Sequence, residues 1–299
     1  MSKHGTIRRY TLEIEKIKRG QFPSFQEIKN YLFEHGFEIG DRTIQRDIEQ
    51  IRFEFGIEIK YHRNKNGYYI DYENSLNIES FFRFLEIVNT ADLLTESLLE
   101  SKDSLKHISF DLGGGLKGIE NLKLLLKAIK DHRKISFTHF NFHTEKSRKF
   151  ILNPYLLKEY QNRWYVVGII PGGNELMTFG IERIENLVIE PETFTSDKKL
   201  NALEMFNDTI GVVHNANTVQ TIVLSFTPTQ KYYAKTLPLH SSQQVLIDSK
   251  NEYRVSLKVV PNYELIQQIL KHGETVKVIE PQWLVEEVKG VLSRTLGKY

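Results

Sequence analysis

Residues 41 to 72, DRTIQRDIEQIRFEFGIEIKYHRNKNGYYIDY, read as a helix followed by a basic hairpin. Asp41 has the carboxylate expected of an N-cap, and Gly40 before it permits a tight entry. At about 100° per residue, Ile44, Ile48, Ile51 and Phe55 share one stripe and leave Arg42, Gln45, Arg46 and Glu49 on the opposite face. Arg and Gln carry paired hydrogen-bonding groups that match guanine and adenine edges, and the first turns of such a helix are the part that enters a major groove. Arg42, Thr43, Gln45 and Arg46 are therefore the candidate base-reading residues. Gly56 stops the helix. Ile57, Ile59 and Tyr61 then alternate with polar residues, Arg63 to Gly67 make a turn, and Tyr68, Ile70 and Tyr72 alternate again. Arg63 and Lys65 at the tip suit phosphate contacts, which give affinity without sequence information. The plain alternative is a packed helix whose charged face is merely solvated.

The upstream order favours the first reading. Ile7, Tyr10, Ile14 and Ile17 fall at helical spacing; Ser24 and Glu27 form a capping box that opens a second helix carrying Phe25, Ile28 and Leu32 inward. Helix, helix, turn, helix, hairpin is the order of a winged helix-turn-helix. The run DRTIQRDIEQIRFEFGIEI followed by GYYI resembles the N-terminal domain of bacterial regulators that carry a WYL domain, where an S-x-R-T-I-x-R-D-L pattern recurs. Asp41 stands where that pattern has Ser, and both can cap a helix.

Composition sets bounds. The 299 residues suggest two or three domains, and 40% hydrophobic with 26% charged residues is ordinary for a globular protein. The absence of cysteine excludes disulfides, thiolate zinc sites and a cysteine nucleophile, and accords with a reducing compartment. No apolar run is long enough for a bilayer, and MSKHGTIRRY has no signal-peptide core, so a cytoplasmic location is expected. A net charge of +2 is too small to argue for nucleic acid, so a DNA surface would have to be local.

Beyond the hairpin, residues 78–100 keep Phe81, Leu85, Val88, Leu93 and Leu98 at helical spacing, and Phe82, Phe84 and Ile87 add apolar surface suited to packing against another chain. FDLGGGLKG at 110–118 lacks the Lys-Ser/Thr of a phosphate loop and reads as a connection. Ile119 to His132 is a striped helix through Leu122, Leu125, Leu126 and Ile129. The period then changes to alternation: Ile135, Phe137 and His139 share a strand face, Phe150 and Leu152 sit on another strand, and the runs LLKEY, RWYVVGII, ELMTFGI and LVIE follow, five or more short strands that predict a small barrel or curled sheet. NPYLLKEYQNRWYVVGII followed by MTFGIERI resembles the WYL domain, an Sm-like barrel named for a Trp-Tyr-Leu strand, here Trp164, Tyr165 and Val166. Residues 219–297 read βαββαβ, with helices from Pro228 and over Tyr263 to Lys271 and a final helix from Pro281. Through LPLHSSQ and HGETVKVIEPQWL this part resembles the C-terminal extension usual for WYL domains.

Catalytic motifs are lacking. His139 and His143 lie at strand-face spacing but have no nearby carboxylate to complete a metal set, and no hydrolase or nuclease constellation occurs; neither metal, cofactor nor catalytic residue is expected. Trp164 and Tyr165 must point to opposite faces of their strand. In the resembled family a ligand patch draws on an early-strand aromatic or histidine, the Trp-Tyr strand, and the Phe and second Arg of an R-x-F-x-x-x-R-I motif. By position these are His139, Trp164, Tyr165, Phe179 and Arg183; the motif's first Arg is Met177 here, and Lys158, Arg163 and Arg148 can supply charge instead. Rings beside cations suit a nucleotide or single strand.

The sequence thus predicts a multidomain α+β protein: a winged helix-turn-helix over 1–73, a helical linker over 74–118, an Sm-like WYL barrel over 119–200, and a C-terminal α/β extension over 201–299. The expected function is that of a homodimeric, non-enzymatic transcriptional repressor that reads an inverted-repeat operator in double-stranded DNA and senses a nucleotide or single-stranded DNA effector. A nucleotide-processing enzyme and a constitutive DNA-binding module are the alternatives.

Overall fold

In the computed structural model, which describes residues 3–19, 22–75, 78, 81–85, 87, 90, 117–142, 144–195, 202, 204–215 and 217–299, the chain divides into two units, Met1–Asp111 and Leu112–Tyr299. The first unit runs α1 (Lys3–Lys18), α2 (Phe25–Glu34), α3 (Asp41–Phe55), β1 (Ile59–His62) and β2 (Gly67–Ile70). The capping box forms as expected: the Glu27 N–H donates to Ser24 Oγ at 3.3 Å and the Ser24 N–H donates to Glu27 Oε2 at 2.8 Å. Asp41 does not cap. Gly40 is the N-cap, with no side-chain bond, and the Asp41 carboxylate instead pairs with Lys29 at 2.6 Å. Being the first helical residue, it lies past the point from which a side chain folds back onto the free amides, though its charge still opposes the positive helix end. Gly56 closes α3 in the left-handed region at φ 67°, its N–H donating to the Arg52 carbonyl.

Ile14, Ile28, Leu32, Ile44, Ile51 and Ile57 are fully or almost fully buried together. Each such side chain contributes about 1.5–3 kcal/mol. Phe81 and Leu85 join this core, whereas Phe84 and Ile87 are exposed. Val88, Leu93, Leu98 and the glycine run at 111–116 lie outside the described residues. In the hairpin, Arg63–Lys65 form a 3-10 turn and Asn66 alone takes a positive φ, 52°. Gly67 serves close approach rather than turn geometry: a Cβ there would come within 1.8 Å of the Phe22 carbonyl oxygen. The Tyr68 N–H donates to the Pro23 carbonyl at 2.8 Å, which holds the hairpin against the entry to α2.

In the second unit the helix expected from Ile119 begins as a 3-10 turn, Ile119–Asn121, and continues as α4 (Leu122–Lys130). Leu125 and Ala128 are buried, while Leu126, expected inward, is exposed. Five antiparallel strands follow: β3 (Arg133–Asn141), β4 (Lys146–Tyr160), β5 (Arg163–Ile169), β6 (Leu176–Gly180) and β7 (Ile184–Thr193), in the order β6-β5-β4-β3-β7. The first half of β4 pairs with β3 and its second half with β5, with an irregularity between Pro154 and Leu156 that lets one strand serve both neighbours. Among the described residues no ladder joins β6 to β7; the 3-10 turn Ile181–Arg183 connects them. The expected small barrel is therefore not closed by backbone hydrogen bonds. Leu125, Ile135, Phe137, Leu152, Val166 and Phe179 form the core of this sheet.

A second antiparallel sheet, β11-β8-β10-β9, is built from β8 (Gln220–Phe226), β9 (Gln244–Asp248), β10 (Tyr253–Val259) and β11 (Val276–Glu280). Its helices are α5 (Lys231–Thr236), α6 (Tyr263–Lys271) and α7 (Gln282–Leu296), so the predicted βαββαβ order with an added helix is present. The first helix starts at Lys231 rather than Pro228, because the Thr227 carbonyl first accepts from the Gln230 and Lys231 amides in a turn. Asn262 caps α6, its Oδ1 accepting from the Leu265 N–H at 2.8 Å. The five-stranded sheet is tied to the following part of this unit by Gln268 Nε2 of α6, which donates to the Tyr160 hydroxyl at 2.8 Å, and by Thr178 Oγ1, which donates at 3.0 Å to the carbonyl of Val212 in the segment before β8. Among the described residues no helix is long and apolar enough to cross a membrane.

Candidate functional site

Two clusters of polar residues stand out, one in each unit. In the first, the buried stripe of α3 turns Arg42, Gln45, Arg46 and Glu49 to solvent, with Thr43 half-buried. What fixes this orientation is partly polar. Asp47 lies on the inward face between Ile44 and Ile51 and is fully buried, where Arg9 of α1 grips it through two nitrogens, Nη2 at 2.9 Å and Nε closer still. Beside them Glu13, also fully buried, has no donor partner for either oxygen. Burial, and then the charge of Asp47, push its carboxyl up to about 9. At neutral pH Glu13 is therefore protonated and supplies the hydrogen to Asp47 itself. Rotating α3 would expose this triad, so the outward face is locked by charge as well as by isoleucines.

The outward face borders an open cleft of about 490 Å³ between α3 and the hairpin, lined by Gln45, Glu49 and Arg52 from the helix and Lys60, Tyr61, Tyr68 and Tyr69 from the strands. Arg63 and Lys65 at the tip are exposed, and the Lys65 ammonium sits 3.8 Å from the centre of the Phe22 ring. Lys60 pairs with Asp71, which raises the Lys60 pKa and holds the Asp71 carboxyl below its ordinary value. Arg42 and Arg46 have no ion-pair partner among the described residues, leaving two cations on the helix face for an external anion or base edge.

The second cluster forms where β3, β5, β6 and the turn 181–183 converge. His139 is 8% exposed and packs edge-on against Phe179 with ring centres 5.1 Å apart; its Nε2 has no partner. Burial and the nearby Arg183 lower its pKa, so the ring is neutral. The Glu182 carboxylate stands 3.4 Å from Arg183 Nε and 3.8 Å from Arg163 Nη1. Gly180 permits this, since a Cβ there would meet both Glu182 oxygens at 2.7 Å and Arg183 Nη2 at 2.9 Å. Tyr165, paired across the ladder with Gly180, has its pKa raised by burial and then by Glu182. Phe142, at the end of β3, lies beneath the Arg183 guanidinium at 5.0 Å.

Of the ligand residues expected from sequence, His139, Arg163, Tyr165 and Arg183 are thus brought together, and Phe179 supports them from the core at 3% exposure. Trp164 faces the other side of its strand with Val166 and packs on the core, and Lys158 extends its ammonium to 4.8 Å from Phe206, where burial lowers its pKa. Arg148 lies opposite His139 in the ladder and over Phe150 at 5.6 Å. His143 lies outside the described residues, and among these no three metal-ligating side chains gather. Sequence reasoning missed Glu182, Phe142, and the Arg9–Glu13–Asp47 triad. Two signals could have found the triad: Arg9 and Glu13 are four apart on α1, and Asp47 sits three residues after Ile44 and four before Ile51.

Residues 120–189 match the model of the WYL domain, and residues 218–296 match the model of the WCX domain. No curated protein matches the chain significantly. Among solved structures, the proteasome accessory factor B/C (PafBC) of Arthrobacter aurescens aligns over 96% of this chain and 46% of its own, at 17% identity and a TM-score of 0.33. This chain thus spans less than half the length of that protein. A CRISPR Cas-related protein aligns over 99% of this chain and 85% of its own, at 14% identity and a TM-score of 0.40.

Proposed function

With a WYL and a WCX match following a helical unit that presents Arg42, Gln45 and Arg46 on a locked face, we propose that the protein is a DNA-binding transcriptional repressor controlled by a nucleotide or single-stranded nucleic acid. In this reading residues 1–73 act as a winged helix-turn-helix, with α3 in the major groove and the hairpin as wing. The WYL sheet, an opened Sm-like fold, is the sensor. The single observation that carries the proposal is the two-faced α3: isoleucines and Asp47 inward, two unpaired arginines and a glutamine outward at the helix start. One such helix reads few base pairs, so the protein acts as a homodimer on an inverted repeat, with half-sites about 34 Å apart or a multiple. The effector works by binding one dimer geometry better than the other. Nothing in this scheme requires catalysis.

The test is binding to the DNA upstream of the protein's own gene at fixed salt. Arg42→Ala with Arg46→Ala should remove sequence-selective binding, since each lost bidentate contact costs about 1–3 kcal/mol, while leaving the fold and oligomeric state unchanged. Selectivity that survives the double change refutes α3 as the reading helix. Addition of short single-stranded oligonucleotides to the intact protein should shift its operator affinity; Arg183→Ala should abolish that shift without altering basal DNA binding.

A further inference from the structure

The cluster on the WYL sheet contains three adjacent polar atoms that are buried and unpartnered: Arg183 Nε, Glu182 Oε1 and Glu182 Oε2. From Arg183 Nε through the neighbouring Glu182 Oε1 to Oε2, the unmade bonds are those of one donor and two acceptors. The spacing from Arg183 Nε to Glu182 Oε1 is 3.4 Å, longer than a hydrogen bond, so the two groups attract without satisfying each other. An ionised carboxylate accepts only, and leaving both oxygens shielded and unbonded is costly. A partner for this edge must offer an acceptor followed by two adjacent donors.

Among the common bases only guanine does so, through O6, N1–H and N2–H. Adenine offers one donor beside one acceptor, cytosine one donor followed by two acceptors, and thymine or uracil one donor between two acceptors. Accepting the reading of this sheet as a nucleotide or single-strand sensor, on which the inference rests, we propose that Glu182 and Arg183 make it selective for guanine. Glu182 accepts from N1–H and N2–H, and Arg183 Nε donates to O6. Arg163, which is 62% exposed and only 3.8 Å from Glu182, is left to meet phosphate. The carrier side chains Glu182 and Arg183 are 18% and 23% exposed, so their shielded atoms lie just beneath the surface. The cover over Arg183 is the ring of Phe142, 57% exposed on a strand end, which can swing aside and stack on the entering base.

The experiment measures affinities of the full-length protein for GMP, IMP, AMP and CMP by calorimetry, and for labelled seven-nucleotide strands of thymidine bearing one central guanine, hypoxanthine or adenine by anisotropy. GMP should bind roughly tenfold or more tighter than AMP and CMP, with IMP, which lacks the N2 amino group, between them. Glu182→Gln, with unchanged far-UV circular dichroism, should erase the preference, because an amide presents one acceptor and one donor to guanine's two donors. Phe142→Ala should weaken all ligands alike and keep the ranking, since stacking tolerates any base. Guanine preference among mononucleotides marks a free nucleotide as the source; preference among strands alone marks a single-stranded nucleic acid. Binding without base preference, or a guanine preference that survives Glu182→Gln, overturns the proposal while leaving the sensor reading intact. Absence of binding to every nucleotide and strand overturns both.

Discussion

Replacing Glu13 by Gln should stabilise the N-terminal unit at slightly alkaline pH and destabilise it in acid. Glu13 ordinarily titrates at 4.5, and burial beside Asp47 raises it to about 9 in the folded protein. The folded state therefore keeps a proton that the unfolded chain loses. For an acid with a raised pKa, stability is highest below the unfolded value, falls as pH climbs toward the folded value, and levels off above it; between the two the slope is about 1.4 kcal/mol per pH unit. By about pH 7.5, three units above the unfolded value, holding Glu13 neutral costs about 4 kcal/mol. Gln needs no proton and still offers Asp47 a donor through its amide, but its second amide N–H is left buried without an acceptor, at about 1–2 kcal/mol. The net expectation is a gain of about 2 kcal/mol near pH 7.5 and a loss of about 1 kcal/mol near pH 5.

Both tryptophans, Trp164 and Trp283, belong to the other unit, so their fluorescence is blind to this change. Amide exchange of peptides covering α1 and α3, followed from about pH 5 to 9 and corrected for intrinsic rates, reads it directly. Carboxylates away from the Arg9–Glu13–Asp47 triad titrate alike in the two proteins, so the difference isolates the triad. A variant that is less stable than wild type across the whole range, with the same pH slope, would show that Glu13 is ionised in the folded protein and refute the reasoning.

Other perturbations test separate parts of the structure. Asp47→Ala removes the bidentate carboxylate partner of the buried Arg9 guanidinium and should cost about 3–5 kcal/mol, seen as early exchange of α1 and α3 while the C-terminal unit is unaffected. Gly67→Ala drives a methyl into the Phe22 carbonyl and should cost about 1–3 kcal/mol, loosening the hairpin and weakening DNA binding at every sequence rather than at one operator. Asn262→Ala removes the α6 cap and the Nδ2 bonds to the Ile210 and Val213 carbonyls; a loss of about 2–3 kcal/mol should appear in urea unfolding followed by Trp283 fluorescence.

Periodicity found the elements whose faces are chemically pure. The stripe Ile44, Ile48, Ile51 marked α3 to within a residue, and the alternation Ile135, Phe137, His139 marked the buried face of β3, because apolar burial repeats with the backbone and needs no partner to be recognised. It failed where a residue's place depends on a distant segment. Asp41 and Ser24 look alike as caps, yet only Ser24 caps, since Lys29 draws Asp41 away and Gly40 takes the N-cap position. Gly67 was legible as a turn glycine, but its reason is a backbone oxygen more than forty positions earlier.

The same limit hid Glu182. In sequence it is one acid beside Arg183, and nothing in the pattern marks it. Only the fold shows that Gly180, bare of a Cβ, lets both side chains lie across the sheet toward Arg163 and Tyr165, and that His139 feels both charges. A motif can thus place the cations of the proposed sensor from sequence, while the acid proposed to choose their ligand becomes visible only when its unpaired oxygens are counted. On that proposal selectivity resides in the unpaired remainder, because a ligand gains most from a site where the protein has left hydrogen bonds unmade.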